Sequence, residues 1–318
     1  MQKSTDTIRL NMLGLPVIQN LDDFSEIIHI SKYTLFHLSQ NSDWHYKIYD
    51  IQKKSGGSRT ISQPSKNLKA VQVWILVNIL NKLHVSNSCK GFEKGSSIYH
   101  NAEPHKNANT ILTIDLEDFF PNIDQKKIFN IFRSIGYNNL ISTVFSNICT
   151  YKQSLPQGSP CSPKLANLST WNLDLRLQGY VGKRGINYTR YADDLSFSST
   201  VPARIIKVES MIISIITSEG FRINEAKTRI AGNARAKIIT GLIISNESIG
   251  IGQKKYKKLR SKIFHLTLPA QQSNLRLLNE VQGWIAYLNS VDVKRLNRAK
   301  KYIKDLKIKY PETLVNKV

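Results

Sequence analysis

The chain has 318 residues, enough to bury a sizeable core and to hold two or three subdomains. Its net charge of +22 indicates a polyanionic partner, with nucleic acid favoured over an anionic membrane surface. Neither end carries a long apolar run and the cysteines form no metal-type pair, so we expect a cytoplasmic protein without signal peptide, membrane span or disulfides.

The predicted elements mix helices and strands without regular alternation, which is typical of the α+β class. In chain order they are short helices over 22–49, a basic loop over 53–59, an apolar helix over 68–79, a buried strand over 111–114 that ends at Asp115, a helix capped by Asp124, a helix starting at Ser162, a hairpin around 191–194, a helix over 208–216 and a strand over 238–244. From Gly250 onward, amphipathic helices rich in Lys and Arg follow.

The most informative motif is the run Tyr-Ala-Asp-Asp at 191–194. Apolar and polar residues alternate over 186–189 and 195–198, which predicts two half-apolar strands joined by a tight turn. The turn would hold Asp193 and Asp194 as hard oxygen ligands for Mg²⁺. On its own a four-residue match is weak, because many acidic turns are merely solvated.

A second acidic motif begins where the predicted strand over 111–114 ends. It reads Asp-Leu-Glu-Asp-Phe-Phe from Asp115 to Phe120. Together with Asp193, Asp115 would hold two Mg²⁺ ions that activate an attacking hydroxyl and stabilise the leaving pyrophosphate. The alternative is that Asp115 caps a turn beside solvated acids, which the hairpin acids make the minor interpretation.

The third motif is the run Leu-Pro-Gln-Gly-Ser-Pro-Cys-Ser-Pro at 155–163, followed by an apolar helix. Gly158 lets the backbone approach a ligand closely. Gln157 could hydrogen-bond a nucleotide sugar or the template. An ordinary turn that caps a helix is the alternative, but a match over nine consecutive residues favours a ligand site.

These three motifs occur in the order and spacing of reverse transcriptases, and the segment 220–224 with Lys227 is similar to the next palm segment of that family. The resemblance covers residues 50–245 and implies a right-hand polymerase fold. We expect an N-terminal extension over 1–30, fingers over 31–107, a palm over 108–245 with a fingers insertion over 122–155, and a basic helical thumb over 246–318.

Two further runs narrow the resemblance. Residues 101–105 match the Asn-Ala-x-x-His signature of bacterial retron reverse transcriptases, and 239–241 matches their Val-Thr-Gly with Ile for Val. The resemblance implies that Asn101, His105, Thr240 and Gly241 bind RNA. For His105 the alternative is a hydrogen-bonded loop histidine. Together the two runs favour a retron enzyme over a group II intron type, as does the lack of room for a maturase or endonuclease domain.

By resemblance, Asp115 and Asp193 are the principal metal ligands, with Asp194 in support. Phe120, five residues after Asp115, occupies the steric-gate position, where an aromatic ring would clash with a ribonucleotide 2′ hydroxyl and select dNTPs. Phe119 is the alternative gate if the strand is bulged, and a plain core role is the other alternative for either ring.

The same resemblance assigns cations to the incoming nucleotide. Arg59, with Lys53 or Lys54, matches the fingers group that clamps the triphosphate, for which a guanidinium is well suited. Lys227 stands where the family often has a lysine that protonates pyrophosphate or stabilises its charge. The alternatives are a solvated basic hairpin and an ordinary surface lysine.

The expected thumb carries two basic helical faces around an apolar stripe. Cations at this spacing suit phosphate tracking along a duplex, and binding should weaken steeply with salt. Solubilising charge is the alternative. The thumb residues expected to bind RNA are Lys254, Lys255, Lys258, Arg295 and Arg298.

The resemblance implies an RNA-directed DNA polymerase that binds its own noncoding RNA of the msr–msd type. It would start from a guanosine 2′ hydroxyl and make a branched RNA–DNA product, msDNA. Expected partners are dNTPs, a separate effector protein in anti-phage defence, and a host RNase H that removes template. The alternatives are a group II-like or diversity-generating enzyme primed from a 3′ end, and a noncatalytic RNA-binding scaffold.

Overall fold

A computed structural model of the chain describes residues 4–53, 56–232, 234–246 and 248–318. Lys54, the predicted alternative to Lys53, lies outside these residues. The strands are, in chain order, β1 (Tyr46–Gln52), β2 (Ser58–Pro64), β3 (Thr110–Glu117), β4 (Asn187–Tyr191), β5 (Asp194–Ser199), β6 (Arg222–Ile223), β7 (Arg229–Ala231), β8 (Lys237–Ile239), β9 (Leu242–Ile244) and β10 (Ile249–Gly250).

Helices make up most of the remaining described residues, which confirms the predicted α+β class. The α-helices are α1 (Thr7–Met12), α2 (Leu21–Ile28), α3 (Lys32–Gln40), α4 (Lys66–Asn78), α5 (Ile98–Ala102), α6 (Gln125–Ile135), α7 (Asn139–Cys149), α8 (Ser162–Ser169), α9 (Trp171–Gly182), α10 (Pro202–Ser218), α11 (Gly252–His265), α12 (Leu275–Val291) and α13 (Val293–Lys309). None of the described helices is both long and apolar enough to cross a membrane.

The central sheet is antiparallel, with β4, β5 and β3 side by side and with β6 and β7 both paired to the outer edge of β3. The register places Asp115 directly opposite Asp194, and Leu112 opposite Phe197. Side chains of a strand alternate between the two faces of a sheet. The register therefore gives the sheet one apolar face and one face that carries the acids.

The apolar face packs on a large hydrophobic core built with α4 and α6–α10. The sequence specifies these helices locally. Asp124 caps α6 by accepting the Lys127 amide at 2.7 Å, and apolar residues recur on its inner face at Ile128 and Phe132. Pro163 in the first turn of α8 has the backbone angle that a helix start needs.

The hairpin β1–β2 stands above this core, and most of its residues are exposed. It is tied to the 155–163 loop by the Ser62 amide, which donates to the Gln157 carbonyl at 2.7 Å. A Cβ on Gly158 would lie 2.5 Å from the Ser62 carbonyl oxygen, so only glycine permits this approach. The hairpin and the loop therefore form two walls of one cleft.

A second hydrophobic core joins α11–α13 to the sheet β8–β10 and to residues 98–111. Asp292 links two parts of it, because its carboxylate accepts the Ile251 amide at 3.1 Å and the Arg295 guanidinium at 2.8 Å. The predicted palm–thumb boundary at residue 245 falls inside the small sheet.

Three predicted elements need correction. The predicted strand over 238–244 is two strands, because Thr240 (φ 44°) and Gly241 (φ 81°) form a tight left-handed turn between β8 and β9. The predicted helices over 22–49 give way to β1 at Tyr46. Finally, β3 continues to Glu117, so Asp115 lies within the strand instead of at its end.

Candidate active site

The acidic hairpin forms as predicted, with β4 and β5 joined at Ala192 and Asp193. Ala192 adopts a left-handed conformation (φ 58°), which non-glycine residues rarely adopt and which closes the bend in two residues. The polar residues of its strands are buried like the apolar ones, as Thr189, Ser196 and Ser198 show. Residues 98–105 cover this polar face at the end distant from the acids.

The hairpin brings its two acids beside Asp115. Asp115 and Asp194 are cross-strand neighbours, and the Leu116 amide donates to the Asp193 carbonyl at 2.9 Å. The third contact comes from Lys227, whose ammonium group lies 2.9 and 3.1 Å from the two Asp115 oxygens. Asp115 therefore meets the two adjacent hairpin acids, which are distant from it in sequence, at the open end of the polar sheet face.

The carboxylates perturb one another. Burial, and after it the charge of Asp115, raises the pKa of Asp193 above its usual range. Partial burial of the carboxyl group and the charges of Asp193 and Asp115 raise the pKa of Asp194 to about 6, although the residue as a whole is exposed. Neighbouring carboxylates that resist ionisation form a site whose charge a bound cation would relieve.

The donor set fits a hard divalent cation, since it consists of carboxylate oxygens on rigid strands. The described residues nevertheless contain no group of three or more His, Cys, Asp or Glu side chains already arranged around a metal position. Asp115 is instead paired with Lys227, and of the three predicted ligands Asp115 and Asp193 line the cleft whereas Asp194 does not. Binding of a cation would therefore require these side chains to reorient.

The cleft above the acids has a volume of about 790 Å³. Its walls come from the β1–β2 hairpin, the segment after β3, the 155–163 loop and the 3₁₀ turn Glu225–Lys227. It brings together the residues predicted to bind metal or nucleotide, with the exception of Asp194: Lys53, Arg59, Asp115, Phe120, Gln157, Asp193 and Lys227.

The two phenylalanines predicted as alternative gates differ in burial. Phe119 is 3% exposed and packs against Phe221 in the core, whereas Phe120 is only half-buried and faces the cleft. The geometry therefore favours Phe120 over Phe119 for contact with a substrate.

The first retron-like run does not present its polar groups to solvent. Asn101 and His105 are both fully buried. The ring nitrogens of His105 lie 2.7 Å from the hydroxyls of Ser198 and Thr189, so the histidine links β5 to β4, and burial lowers its pKa to about 3. Neither side chain is accessible to RNA here, so the predicted direct contacts of Asn101 and His105 with RNA are corrected. For His105 the structure shows the alternative, a hydrogen-bonded histidine, which lies in a 3₁₀ turn.

The second retron-like run is more accessible. Gly241 is exposed at the β8–β9 turn, and its carbonyl accepts the Lys255 ammonium at 3.0 Å. Lys254 and Lys258 are exposed on the same helix, and Arg298 is exposed on α13. Arg295 differs from these cations, because its half-buried guanidinium is held by Asp292.

Two features of the site escaped prediction. Phe92 is 46% exposed in the cleft near Phe120 and Tyr191, with a positive φ of 60° that is rare for a bulky residue. Arg190 is fully buried beneath the acidic turn. The sequence did carry a signal for this burial. Ile186 and Tyr188 are predicted to face inward, and continuing their alternation by two residues places the charged Arg190 on the same inward face.

Comparison with known proteins agrees with this arrangement. The family model described as reverse transcriptase (RNA-dependent DNA polymerase) matches residues 51–278. The chain is 48% identical to the Retron Ec86 reverse transcriptase of Escherichia coli over 98% of this chain and 97% of that one. It is 29% identical to the Retron Mx65 reverse transcriptase of Myxococcus xanthus, over 93% and 74%, and 31% identical to the Retron Ec73 reverse transcriptase of Escherichia coli, over 86% and 91%.

Proposed function

The chain belongs to the bacterial retron reverse transcriptases and is an RNA-directed DNA polymerase, and from this premise we propose that it copies part of a structured noncoding RNA into msDNA in the cleft above Asp115 and Asp193. The observation that carries the proposal is the meeting of three carboxylates on β3 and the β4–β5 turn beneath a cleft lined by cations and Phe120.

The family depends on divalent metal in general, and we infer Mg²⁺ from the all-oxygen donors. Asp115 and Asp193 would hold two ions, with Asp194 in support. When bound, they supply Lewis acidity for attack by a primer hydroxyl and for departure of pyrophosphate.

The other side chains of the cleft have roles in binding the incoming nucleotide and in releasing pyrophosphate. Arg59 and Lys53, on the β1–β2 hairpin, bind the triphosphate, since both extend into the cleft from one wall. Phe120 excludes a 2′ hydroxyl, and Gln157 contacts the sugar or the template strand. Lys227 lies within hydrogen-bond reach of Asp115. Once Asp115 binds a cation, Lys227 would be free to stabilise or protonate the pyrophosphate.

The fingers, palm and thumb divide as residues 31–107, 108–245 and 246–318 in this proposal. RNA is the template partner. Exposed cations on the thumb, Lys254, Lys258 and Arg298, hold the phosphates of the cognate RNA and its DNA product, and the Thr240–Gly241 turn contributes a neighbouring contact. We place initiation at a guanosine 2′ hydroxyl, with a separate effector and a host RNase H acting beside the enzyme in phage defence.

Primer extension on an RNA template tests the catalytic part. Wild type with Mg²⁺ and dNTPs should extend the primer, and Asp193→Asn should lower the rate at least about a hundredfold, because one cation ligand is lost. Asp22→Asn makes the same chemical change on the surface of α2 and should retain the wild-type rate. Equal extension by wild type and Asp193→Asn would contradict the proposal.

The priming part needs a separate test. RNA that copurifies with the protein from its host is digested with RNase, and the DNA left behind is analysed for a guanosine attached through its 2′ oxygen. A 2′,5′ branch supports the retron product. DNA continuous with a 3′ end would instead support a group II-like or diversity-generating mode of priming.

A further inference from the structure

A fully buried ion pair lies directly beneath the acidic turn. The Arg190 guanidinium donates to both carboxylate oxygens of Asp174 on α9, each at 2.8 Å, and both side chains have no exposed area. The Tyr188 hydroxyl lies 2.7 Å from the same carboxylate. The pair thus joins the catalytic hairpin to the helical layer behind it.

The outer edge of the guanidinium reaches the turn itself. Its Nη1 atom donates to the Ala192 carbonyl at 3.2 Å and to the Asn167 side-chain oxygen at 3.3 Å. The Ala192 carbonyl belongs to the peptide that connects Ala192 to Asp193. Arg190 is therefore one peptide away from a predicted metal ligand, although its side chain does not enter the cleft.

The backbone of residues 88–91 holds the same turn from the edge of the sheet. The Arg190 amide donates to the Ser88 carbonyl at 2.8 Å, and the Lys90 amide donates to the Arg190 carbonyl at 2.7 Å. A Cβ on Gly91 would lie 2.6 Å from the Ala192 nitrogen. Asn167 closes the network by donating to the Gly91 carbonyl at 2.8 Å.

Stability alone does not explain such a pair. Desolvation of two charges offsets most of their attraction, and well-packed apolar residues of similar volume often stabilise a fold as well or better. What an apolar pair cannot supply is a donor to the Ala192 carbonyl. Ala192 is in a left-handed conformation that its own side chain does not favour, so the bend depends on contacts from its surroundings.

We propose that Arg190 is a positioning residue of the polymerase site, which, held by Asp174 and Asn167, fixes the Ala192–Asp193 peptide and thereby the direction of the Asp193 carboxylate. This inference rests on the proposed function of the cleft. The inference gives the network a role in cation affinity. If the Ala192–Asp193 peptide is wrongly oriented, the Asp193 carboxylate lies too far from the cation position or points away from it, and the cation binds more weakly.

The test uses the full chain with the double substitution Arg190→Met and Asp174→Leu, which removes the buried charges together and avoids leaving one unpaired. The matched control is Arg176→Met, an arginine on α9 whose exposed guanidinium bonds Glu219 and Ser218 instead of the turn. Asp193→Asn supplies the reference for a lost ligand. Thermal unfolding in EDTA reports the fold of every variant.

Two readouts separate positioning from folding. Binding of Mn²⁺ alone is followed by electron paramagnetic resonance, and primer extension gives the Mg²⁺ concentration at half-maximal rate. The double variant should remain folded, at a lowered unfolding temperature because the Tyr188 hydroxyl loses its acceptor, while its Mn²⁺ dissociation constant and its Mg²⁺ midpoint both rise about tenfold or more. The control should match wild type in both readouts.

A folded double variant with wild-type Mn²⁺ affinity and Mg²⁺ midpoint would overturn the inference. If the double variant does not fold, Arg190→Lys replaces it in the test. Lysine keeps the positive charge beside Asp174 but lacks the branched guanidinium that also reaches the Ala192 carbonyl. Arg190→Lys should raise the Mg²⁺ midpoint about tenfold or more, and a wild-type midpoint would overturn the inference.

Failure of the proposed function looks different. A wild type that binds Mn²⁺ through Asp193 but extends no primer would contradict polymerase function, while the Mn²⁺ comparison would still decide the role of Arg190. A wild type without Asp193-dependent Mn²⁺ binding would leave Arg190 nothing to position, which overturns the inference.

Discussion

Protonation of His105 should couple the stability of the catalytic hairpin to pH. The imidazole is fully buried between β4 and β5 and bonds one hydroxyl through each ring nitrogen. A neutral ring donates through one nitrogen and accepts through the other, and hydroxyls can serve both. Burial lowers the pKa of His105 to about 3, against an ordinary value of 6.5.

The sign of the effect follows from proton uptake. Below pH 6.5 the unfolded chain binds a proton at this residue that the folded chain does not, so the free energy of unfolding falls as the pH falls from 6.5 towards 3. One pKa unit corresponds to about 1.4 kcal/mol, so the loss reaches about 2 kcal/mol at pH 5 and about 5 kcal/mol if followed to pH 3. At and above pH 7.5 the contribution is complete.

Urea denaturation in EDTA at pH 7.5, 6.5, 5.5 and 5 measures this effect for wild type and His105→Asn. Asparagine cannot be protonated, so the stability difference between the two proteins should shrink by about 2 kcal/mol between pH 7.5 and pH 5. His84→Asn, which removes an exposed histidine, should leave the wild-type pH slope in place. A difference between wild type and His105→Asn that stays constant with pH would refute the reasoning.

Three further predictions concern the cleft, the turn and the thumb. Phe120→Ala should raise the ratio of ribonucleotide to deoxyribonucleotide incorporation about tenfold or more, whereas Phe119→Ala should leave sugar selectivity unchanged and cost about 3–5 kcal/mol of stability in denaturation. Gly91→Ala should lower the steady-state extension rate about tenfold to a hundredfold, because its Cβ would push the Ala192 nitrogen; an unchanged rate would contradict the close packing. On the thumb, the candidates for phosphate binding are Lys254, Lys258 and Arg298, each changed singly to Gln. For each residue that binds a phosphate, the slope of log binding constant against log salt concentration should become less steep by about 0.9, measured between 50 and 200 mM salt with an RNA–DNA hybrid. An unchanged slope would exclude that residue as a phosphate contact.

The sequence predicted what depends on local pattern. Periodicity gave α4, α6 and α10, and two helix starts were indicated by Asp124 as a cap and by Pro163 in the first turn of α8. The acidic motifs identified the residues that meet in the cleft, because such motifs carry their own turn and strand context. The turn between β8 and β9 was missed, since Thr240 and Gly241 stand inside an apolar run whose composition is typical of one continuous strand.

What the sequence did not predict depends on contacts between distant segments. The burial of His105 requires hydroxyls 84 and 93 residues away, and that of Arg190 requires a carboxylate on another element. Polar residues of this kind look like surface residues until a partner is known. The choice between Phe119 and Phe120 likewise depended on which ring the fold turns into the core.

The two buried polar networks have a common place in the architecture of the site. Side chains of β4 alternate, so Thr189 meets His105 on one face of the sheet while Tyr188 and Arg190 meet Asp174 on the other. The turn between them carries acids that repel one another and a left-handed alanine, both of which disfavour the bend. Apolar contacts are not directional and by themselves would not orient the peptides of this bend. Hydrogen bonds on both faces, added to the backbone pairing of β4 with β5, hold the turn in place, and a bound cation would relieve the repulsion between the carboxylates.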